Sequence, residues 1–379
     1  MRIGMVTACY EPIQNGVTRM VSLYKRYLEQ LDHDVTVFTI GSHSKELDAG
    51  KVVVSPGLRH RKSGYYFTLR YKSQAKQLLK QMDIVHCHHP FMGLEMACRY
   101  ARCPIVFTNH TRYDLYAAAL SPIPDKTAIR LSSYVLPKLL TKSDWIIAPT
   151  NNMSDILKKW GVKTPIEVIS NGIELEKYRN RKFSLKKGSL EIPDDALIGI
   201  YVGRLSAEKR VEALLEAFST AKRRIPNLYL LIVGDGASRG QLEKQADELE
   251  INASIRFIGR APFGEIPGFL NIADFFATGS KSEVHPLTVI EAMAAALPIV
   301  GFRSPGLNGF VQHGDNAILC DPGNEQLARG IVEIAGDYNR RQAMSVSSLE
   351  LSQNYDIRKT IDKSLNLYSR MLSNHHPNA

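Results

Sequence analysis

Short apolar, β-branched runs alternate along the chain with longer stretches whose apolar residues recur every three or four positions. In the first half these runs predict strands at Ile3–Thr7, Val35–Ile40, Ile84–His86, Ile105–Thr108, Trp145–Ala148 and Ile166–Ile169. In the second half they predict strands at Leu197–Val202, Tyr229–Val233, Ile255–Ile258, Phe275–Ala277 and Pro298–Val300. Strands separated by helical periods call for an α/β architecture of parallel sheets with crossover helices. The stretch from Tyr178 to Ser189 is basic and aperiodic, and reads as a linker. After Tyr355 the period is helical again, through Ile357, Ile361, Leu365, Tyr368 and Leu372. The expected organisation is therefore a first domain over residues 1–177, a linker over 178–190, a second domain over 191–355, and a closing helix and tail over 356–379. Sites in such doubly wound sheets lie at the carboxyl ends of the strands.

The chain has 379 residues, enough for two separate cores. No apolar run reaches the roughly 18 residues a spanning helix needs. The start, Met1 to Ala8, reads as a first strand and not as a signal peptide. Five scattered cysteines, an odd number, suit reduced thiols in the cytosol. The net charge of +10 is unevenly placed. Residues 1–180 hold 25 Lys and Arg against 15 Asp and Glu, whereas residues 181–379 hold 23 of each. A one-sided basic half implies an anionic partner, either nucleic acid or an acidic membrane surface.

Candidate chemistry concentrates at the predicted strand ends. In Ser282-Glu283-Val284-His285-Pro286-Leu287-Thr288-Val289-Ile290-Glu291, Pro286 suits a first helical turn, and Thr288 is compatible with one. Glu283 then lies in the loop before a helix and Glu291 in its second turn, on a face reachable from the same mouth. Two carboxylates around a helix N-terminus suit a ligand with many hydroxyls and a phosphate. An amphipathic helix with two exposed acids would give the same spelling. Upstream, Gly203 turns the chain after a strand, and Arg204 and Lys209 can clamp a diphosphate whose charge grows as it leaves. Further glycine turns follow the strands that end near Gly234 and Gly259. In the first half, the loop from Tyr10 to Arg19 carries Gly16, and His110 ends a strand, where an imidazole can orient a hydroxyl.

These elements together resemble the family 4 retaining glycosyltransferases, through the E-x7-E pattern of Glu283 and Glu291 and the G-R-x-x-x-x-K-R pattern of Gly203 to Arg210. The resemblance runs from about Met1 to Leu372. It implies two facing Rossmann-like domains, the GT-B fold, with an interdomain cleft. It assigns Arg204 and Lys209 to the donor diphosphate, Glu291 to the ribose, Glu283 to sugar hydroxyls, and Gly259 and Arg260 to the nucleotide base. Leu287 and Thr288, at the start of the Glu291 helix, join the nucleotide-sugar site, as does Gly16. The sequence Thr108-Asn109-His110-Thr111-Arg112-Tyr113 is similar to bacterial diacylglycerol glucosyltransferases of this family, in which the matching histidine lines the transferred sugar. The implied donor is UDP-glucose, the implied acceptor diacylglycerol or a related lipid, and the implied product an α-glycolipid. The chain departs from the family at Ala296 and Gly309, which stand where a glycine and an acid are usual; Asn15 precedes Gly16 in place of a glycine, and Pro286 withholds one backbone N–H.

Two metal-like spellings are set aside, and neither a cofactor nor a metal is expected. His86-Cys87-His88-His89 with Cys98 and Cys103 lacks the paired spacing of zinc sites. Asp32-His33-Asp34 falls in a polar turn between a helix and a strand. The basic, aromatic segment Arg59, Arg61, Lys62, Tyr65 and Tyr66 leads toward an expected helix with Arg70, Lys72, Lys76 and Lys80. It suits an anionic bilayer and a lipid acceptor, and no nucleic-acid module accompanies it. The expected location is cytoplasmic, peripheral at the inner face of the cell membrane. The competing readings are transfer to a soluble sugar or polyol, a non-hydrolysing UDP-sugar epimerase, and a non-catalytic nucleic-acid-binding protein.

Overall fold

The computed structural model describes all residues except 14, 43–44, 48–49, 60–65, 69, 114–124, 180–184 and 376–379. The chain divides into two compact units, Met1–Gly172 with Ile357–Ala379, and Ile173–Asp356.

The first unit is built on β1 (Arg2–Val6), β2 (Asp34–Gly41), β3 (Lys45–Leu47), β4 (Val52–Pro56), β5 (Leu58–Arg59), β6 (Tyr66–Phe67), β7 (Ile84–Cys87), β8 (Ile105–Thr108), β9 (Trp145–Ala148) and β10 (Ile166–Val168). Eight of these form one sheet in the order β10-β9-β8-β7-β1-β2-β4-β3. All its pairings are parallel except β3 with β4. The central strands read as continuous apolar runs because helices cover both faces, and Val35, Val37, Phe38, Ile84 and Val85 are wholly buried. The order reverses between β1 and β7, which makes this the sheet's topological switch point. β5 and β6 pair apart from the sheet as an antiparallel ribbon.

The second unit contains β11 (Leu197–Val202), β12 (Leu228–Val233), β13 (Ile255–Gly259), β14 (Phe275–Thr278), β15 (Ile299–Phe302) and β16 (Ala317–Cys320), in the order β13-β12-β11-β14-β15-β16 and all parallel. This is the doubly wound order, with its switch point between β11 and β14. Phe218 from the helix Val211–Lys222 and Leu327, Ile331 and Ile334 from the helix Asn324–Gly336 enter one buried cluster with Leu230 and Phe275 of the sheet. Each such side chain contributes about 1.5–3 kcal/mol by leaving water.

The domain boundaries differ from those expected. The chain passes between units at Gly172/Ile173 and returns at Asp356/Ile357, not within the basic stretch 178–190. Tyr178, read as the start of a linker, is buried in the second unit, while the Ile173 N–H donates to the Tyr355 carbonyl at 2.9 Å. The closing helix Ile357–Asn374 belongs to the first unit. Its Thr360 hydroxyl donates to the Ser170 carbonyl, and Tyr368 and Ser364 hydrogen-bond to His86 and Tyr24. The expected basic helix is also shorter: it spans Ser73–Leu79, so Arg70 and Lys72 precede it. Among the described residues no helix is long and apolar enough to cross a membrane.

Candidate functional site

In the second unit the candidate residues gather at the carboxyl ends of β11 and β14, the switch point. The Lys209 Nζ lies 2.6 Å from Glu283 Oε1, although 74 positions separate them in sequence. The two side chains are 20% and 18% exposed, so the pair is only partly screened by water. Gly203 follows β11, and Tyr201 donates its hydroxyl to the Arg204 carbonyl at 3.1 Å. Burial first, then the charges of Glu283 and Glu208, keep the Tyr201 phenol neutral and a donor.

Arg204 reaches Glu208 Oε1 at 3.4 Å, and the Ser206 hydroxyl donates to the same oxygen at 2.7 Å. Burial alone would raise the Glu208 carboxyl, but the Ser206 hydrogen bond, its own backbone N–H and the Arg204 and Lys209 charges hold it below the usual carboxylate value. Ser282 donates to the Glu208 carbonyl and so ties this turn to the Glu283 loop. Sequence reasoning passed over Glu208; its signal is the spacing of four from Arg204.

Three anchors hold Glu283 in place. Lys209 is one. The second is Gly306, where any side chain would collide with the Glu283 carbonyl; glycine is required there for loop-on-loop packing as well as for any approach of its N–H to a phosphate. His285 is the third, buried against the rings of Phe310 and Tyr355 at 5.0 and 5.4 Å, and burial pushes its pKa down to about 3, leaving it neutral.

The helix begins at Leu287, with Pro286 at its cap in extended conformation and not in the first turn. The Pro286 carbonyl accepts from Val289 and Ile290, which leaves the N–H groups of Leu287 and Thr288 as first-turn donors. Glu291 falls in the second turn as expected, but its side chain is not an exposed acid on a polar face. It is 1% exposed, because Val289, Ala292 and Met293 also pack inward and the helix is covered around most of its circumference. Burying a carboxylate is expensive unless it is hydrogen-bonded or serves a ligand, which argues against two ornamental surface acids. At the ends of β12 and β13, the Gly234 N–H donates to the Gly259 carbonyl at 2.8 Å, and the φ values of these glycines are +145° and +81°. Arg260 is exposed beside them.

The first unit carries the other candidates. Gly16 opens the helix Gly16–Glu29, and the Asn15 side chain caps it by accepting from the Thr18 N–H at 2.9 Å. That cap explains the departure from glycine at 15. Asn109 is buried and donates to the Thr111 carbonyl, which shapes the loop carrying His110 at the end of β8. The His110 Nε2 is 2.9 Å from His88 Nδ1. His86 lies between Tyr368 and Thr108, each at 2.6 Å, and His89 Nδ1 accepts from the Ala8 N–H. Burial keeps His86 and His89 neutral, with pKa values of about 3 and about 4. Asp32-His33-Asp34 sits at the amino end of β2, the sheet edge opposite these loops. Arg59 pairs with Tyr66 across the β5–β6 ribbon, whereas Arg61, Lys62 and Tyr65 lie outside the described residues.

Comparison with known proteins assigns this arrangement to a family. Residues 14–177 match the model of Glycosyltransferase Family 4, and residues 183–348 match that of Glycosyl transferases group 1. The chain is 31% identical over 352 residues to the α-monoglucosyldiacylglycerol synthase of Acholeplasma laidlawii, covering 88% of each protein. It is 30% identical to the protein of the same name from Streptococcus pneumoniae, over 88% of this chain and 78% of that one. Among solved structures, sucrose-phosphate synthase from Thermosynechococcus elongatus superposes with a TM-score of 0.79 over 99% of this chain and 100% of that one, at 18% identity. The Anabaena protein HepE, solved with UDP and glucose, gives 0.76 over 98% of this chain and 100% of that one, also at 18% identity. These structures share the GT-B fold of two parallel-sheet α/β domains. The chain is a glycosyltransferase and belongs to family 4.

Proposed function

We propose that the enzyme transfers glucose from UDP-glucose to diacylglycerol, with retention at the anomeric carbon, on an anionic membrane surface. The observation that carries this reading is the near-full-length identity to two proteins named α-monoglucosyldiacylglycerol synthase. The geometry is compatible with it. Arg204 and Lys209 neutralise the departing diphosphate, the charge that grows most in the transition state. Thr288 and Leu287 offer first-turn N–H groups to the same phosphates, and Glu291 takes the ribose. Glu283 meets sugar hydroxyls, His110 lines the sugar, and the acceptor oxygen attacks on the face the diphosphate leaves. No protein nucleophile is assigned, and with two cations at the diphosphate no metal is assigned either.

Two surfaces of the first unit support the membrane part. Leu58 is 84% exposed and lies opposite Phe67 on the β5–β6 ribbon, beside Arg59. On the helix Asp125–Leu140, Leu131, Tyr134 and Val135 are exposed on one face, flanked by Arg130 and Lys138. Apolar side chains rimmed by cations suit the interface of an anionic bilayer.

UDP release on mixing enzyme, UDP-glucose and diacylglycerol in anionic vesicles tests the reading, with the lipid product identified by mass. Vesicle binding should fall steeply with salt, and changing Arg59, Arg61 and Lys62 to Gln should lower binding and lipid turnover while leaving UDP affinity unchanged. Turnover with soluble sugars or polyols and none with lipid would overturn the acceptor. Equal binding to neutral and anionic vesicles would overturn the electrostatic docking.

A further inference from the structure

The Arg239 side chain takes no part in the site described above, yet the fold sets it against the Gly259 turn at the end of β13. A Cβ built on Gly259 would lie 3.0 Å from Arg239 Nη1. Among the described residues no other atom beyond the adjoining ones comes within 4 Å of that point. With φ at +81°, Gly259 holds a conformation that residues with a side chain rarely adopt. The turn therefore presents a bare backbone shelf with Arg239 at its border.

The backbone beneath Arg239 is fixed by the turn that carries Arg204. The Ser238 N–H donates to the Leu205 carbonyl at 3.0 Å and the Arg239 N–H to the Gly236 carbonyl at 3.1 Å. A side chain at Gly236 would strike that same Leu205 carbonyl, so the two turns pack backbone to backbone. The guanidinium is tethered at one end: its Nε donates to Glu243 Oε1 at 2.7 Å, one turn along the helix Arg239–Glu248. Asp235, whose charge also reaches Arg239, accepts from the Gly236 N–H at 2.9 Å. Among the described residues nothing accepts a hydrogen bond from Nη1 or Nη2. An i,i+4 pair of this kind is common on solvated helix faces, but here the guanidinium is only 35% exposed and lies over a turn assigned to the nucleotide base.

We propose that Arg239 is a specificity-determining residue that reads the donor base, its Nη groups donating to the O4 carbonyl of uracil. This rests on the reading of the Gly259 turn as the base site. In the sheet order β13-β12-β11-β14, Arg204 follows β11, while Glu291 stands on the helix after β14 and Arg239 after β12, on opposite sides. The ribose is thus drawn to one side of the diphosphate clamp and the base extends to the other. O2 adjoins the glycosidic bond, so O4, at the far edge of the ring, is the carbonyl that meets Arg239. A guanidinium donates and cannot accept. Cytosine carries an amino donor where uracil carries O4, so with cytosine donor would face donor. A site built on such a hydrogen bond rejects the base that cannot complete it.

The test uses the full-length enzyme, with calorimetry of UDP, CDP and pyrophosphate on the wild type, Arg239→Ala, Arg239→Lys and Glu243→Gln. Arg239→Ala should lower UDP affinity about tenfold, the scale of one hydrogen bond to a charged group, and leave CDP and pyrophosphate binding unchanged. Donor KM should rise by the same factor with kcat unchanged, since base contacts are equal in the ground and transition states. Arg239→Lys keeps the charge but not the planar fork, and should recover part of the preference for UDP over CDP. Glu243→Gln loosens the guanidinium and should lower that preference by less than Arg239→Ala does. Equal losses for UDP, CDP and pyrophosphate would mean that Arg239 only attracts phosphate. Equal losses for UDP and CDP, with pyrophosphate unchanged, would mean that it packs on any base. Either result overturns the proposal. Photolabelling with 5-azido-UDP separates it from the reading beneath it, and label within residues 234–239 or 259–263 is expected. Label there, with an unchanged UDP-to-CDP ratio in Arg239→Ala, would refute the role of Arg239 alone. Label elsewhere would overturn the base site itself.

Discussion

Replacing Glu283 by Gln keeps the side-chain shape and removes the charge that faces Lys209. In the structure the two groups are 2.6 Å apart and about four-fifths buried. At that distance the gross attraction is about 6 kcal/mol for an effective dielectric near 20. Desolvation of both ions cancels most of it, leaving about 1–3 kcal/mol for a charged hydrogen bond. A donor phosphate that recruits Lys209 must displace this carboxylate, so in the wild type Lys209 contributes to UDP binding only the difference between two partners. Glu283→Gln removes the competitor. UDP affinity should therefore rise by about five- to tenfold, equivalent to roughly 1–1.4 kcal/mol. The same change should lower kcat, because the sugar gains positive character as the diphosphate leaves and loses a nearby anion. Calorimetry with UDP on the wild type, Glu283→Gln, Lys209→Met and the double variant gives the full cycle. Lys209→Met should cost more UDP affinity in the Glu283→Gln background than in the wild type. Weaker UDP binding by Glu283→Gln, or an identical Lys209→Met cost in both backgrounds, would refute the competition.

Glu291→Ala should act on binding, raising donor KM by the equivalent of about 1.5–3 kcal/mol with a smaller change in kcat, as steady-state kinetics would reveal. Arg204→Ala should lower kcat by about 10²–10³ through loss of a contact that strengthens with leaving-group charge, and near-normal turnover would remove it from the clamp. Gly306→Ala forces a side chain against the Glu283 backbone and should cost about 1–3 kcal/mol by overpacking, a fall of several degrees in the melting temperature. Chelation by EDTA should leave turnover largely intact; loss of activity restored by Mg²⁺ or Mn²⁺ would mean that the protein cations are not sufficient.

The periodicity of the chain carried the class of fold and every strand read from it, because strands buried on both faces must be continuous apolar runs. It missed β16, Ala317–Cys320, and β4, Val52–Pro56, which lies just before the basic segment read as leading toward a helix, together with the two- and three-residue strands β3, β5 and β6. Position at a strand-end turn or a helix N-terminus, together with the resemblance to family 4 glycosyltransferases, singled out Arg204, Lys209, Glu283, Glu291 and His110 as candidates. Local spacing carries no information on partners far apart in the chain. The Lys209–Glu283 pair, the Gly306 contact with the Glu283 backbone and the His88–His110 bond join different strand ends, and strand order decides them. Burial of Glu291 likewise depends on what covers the whole helix, not on its own period. The units divide at Gly172/Ile173 because hydrogen bonding and packing there, not composition, settle which residues belong to which core. Sequence alone thus determined the α/β class and the chemical groups at the strand ends, which depend on local pattern; tertiary structure decided which of those groups meet, because that depends on contacts between distant segments.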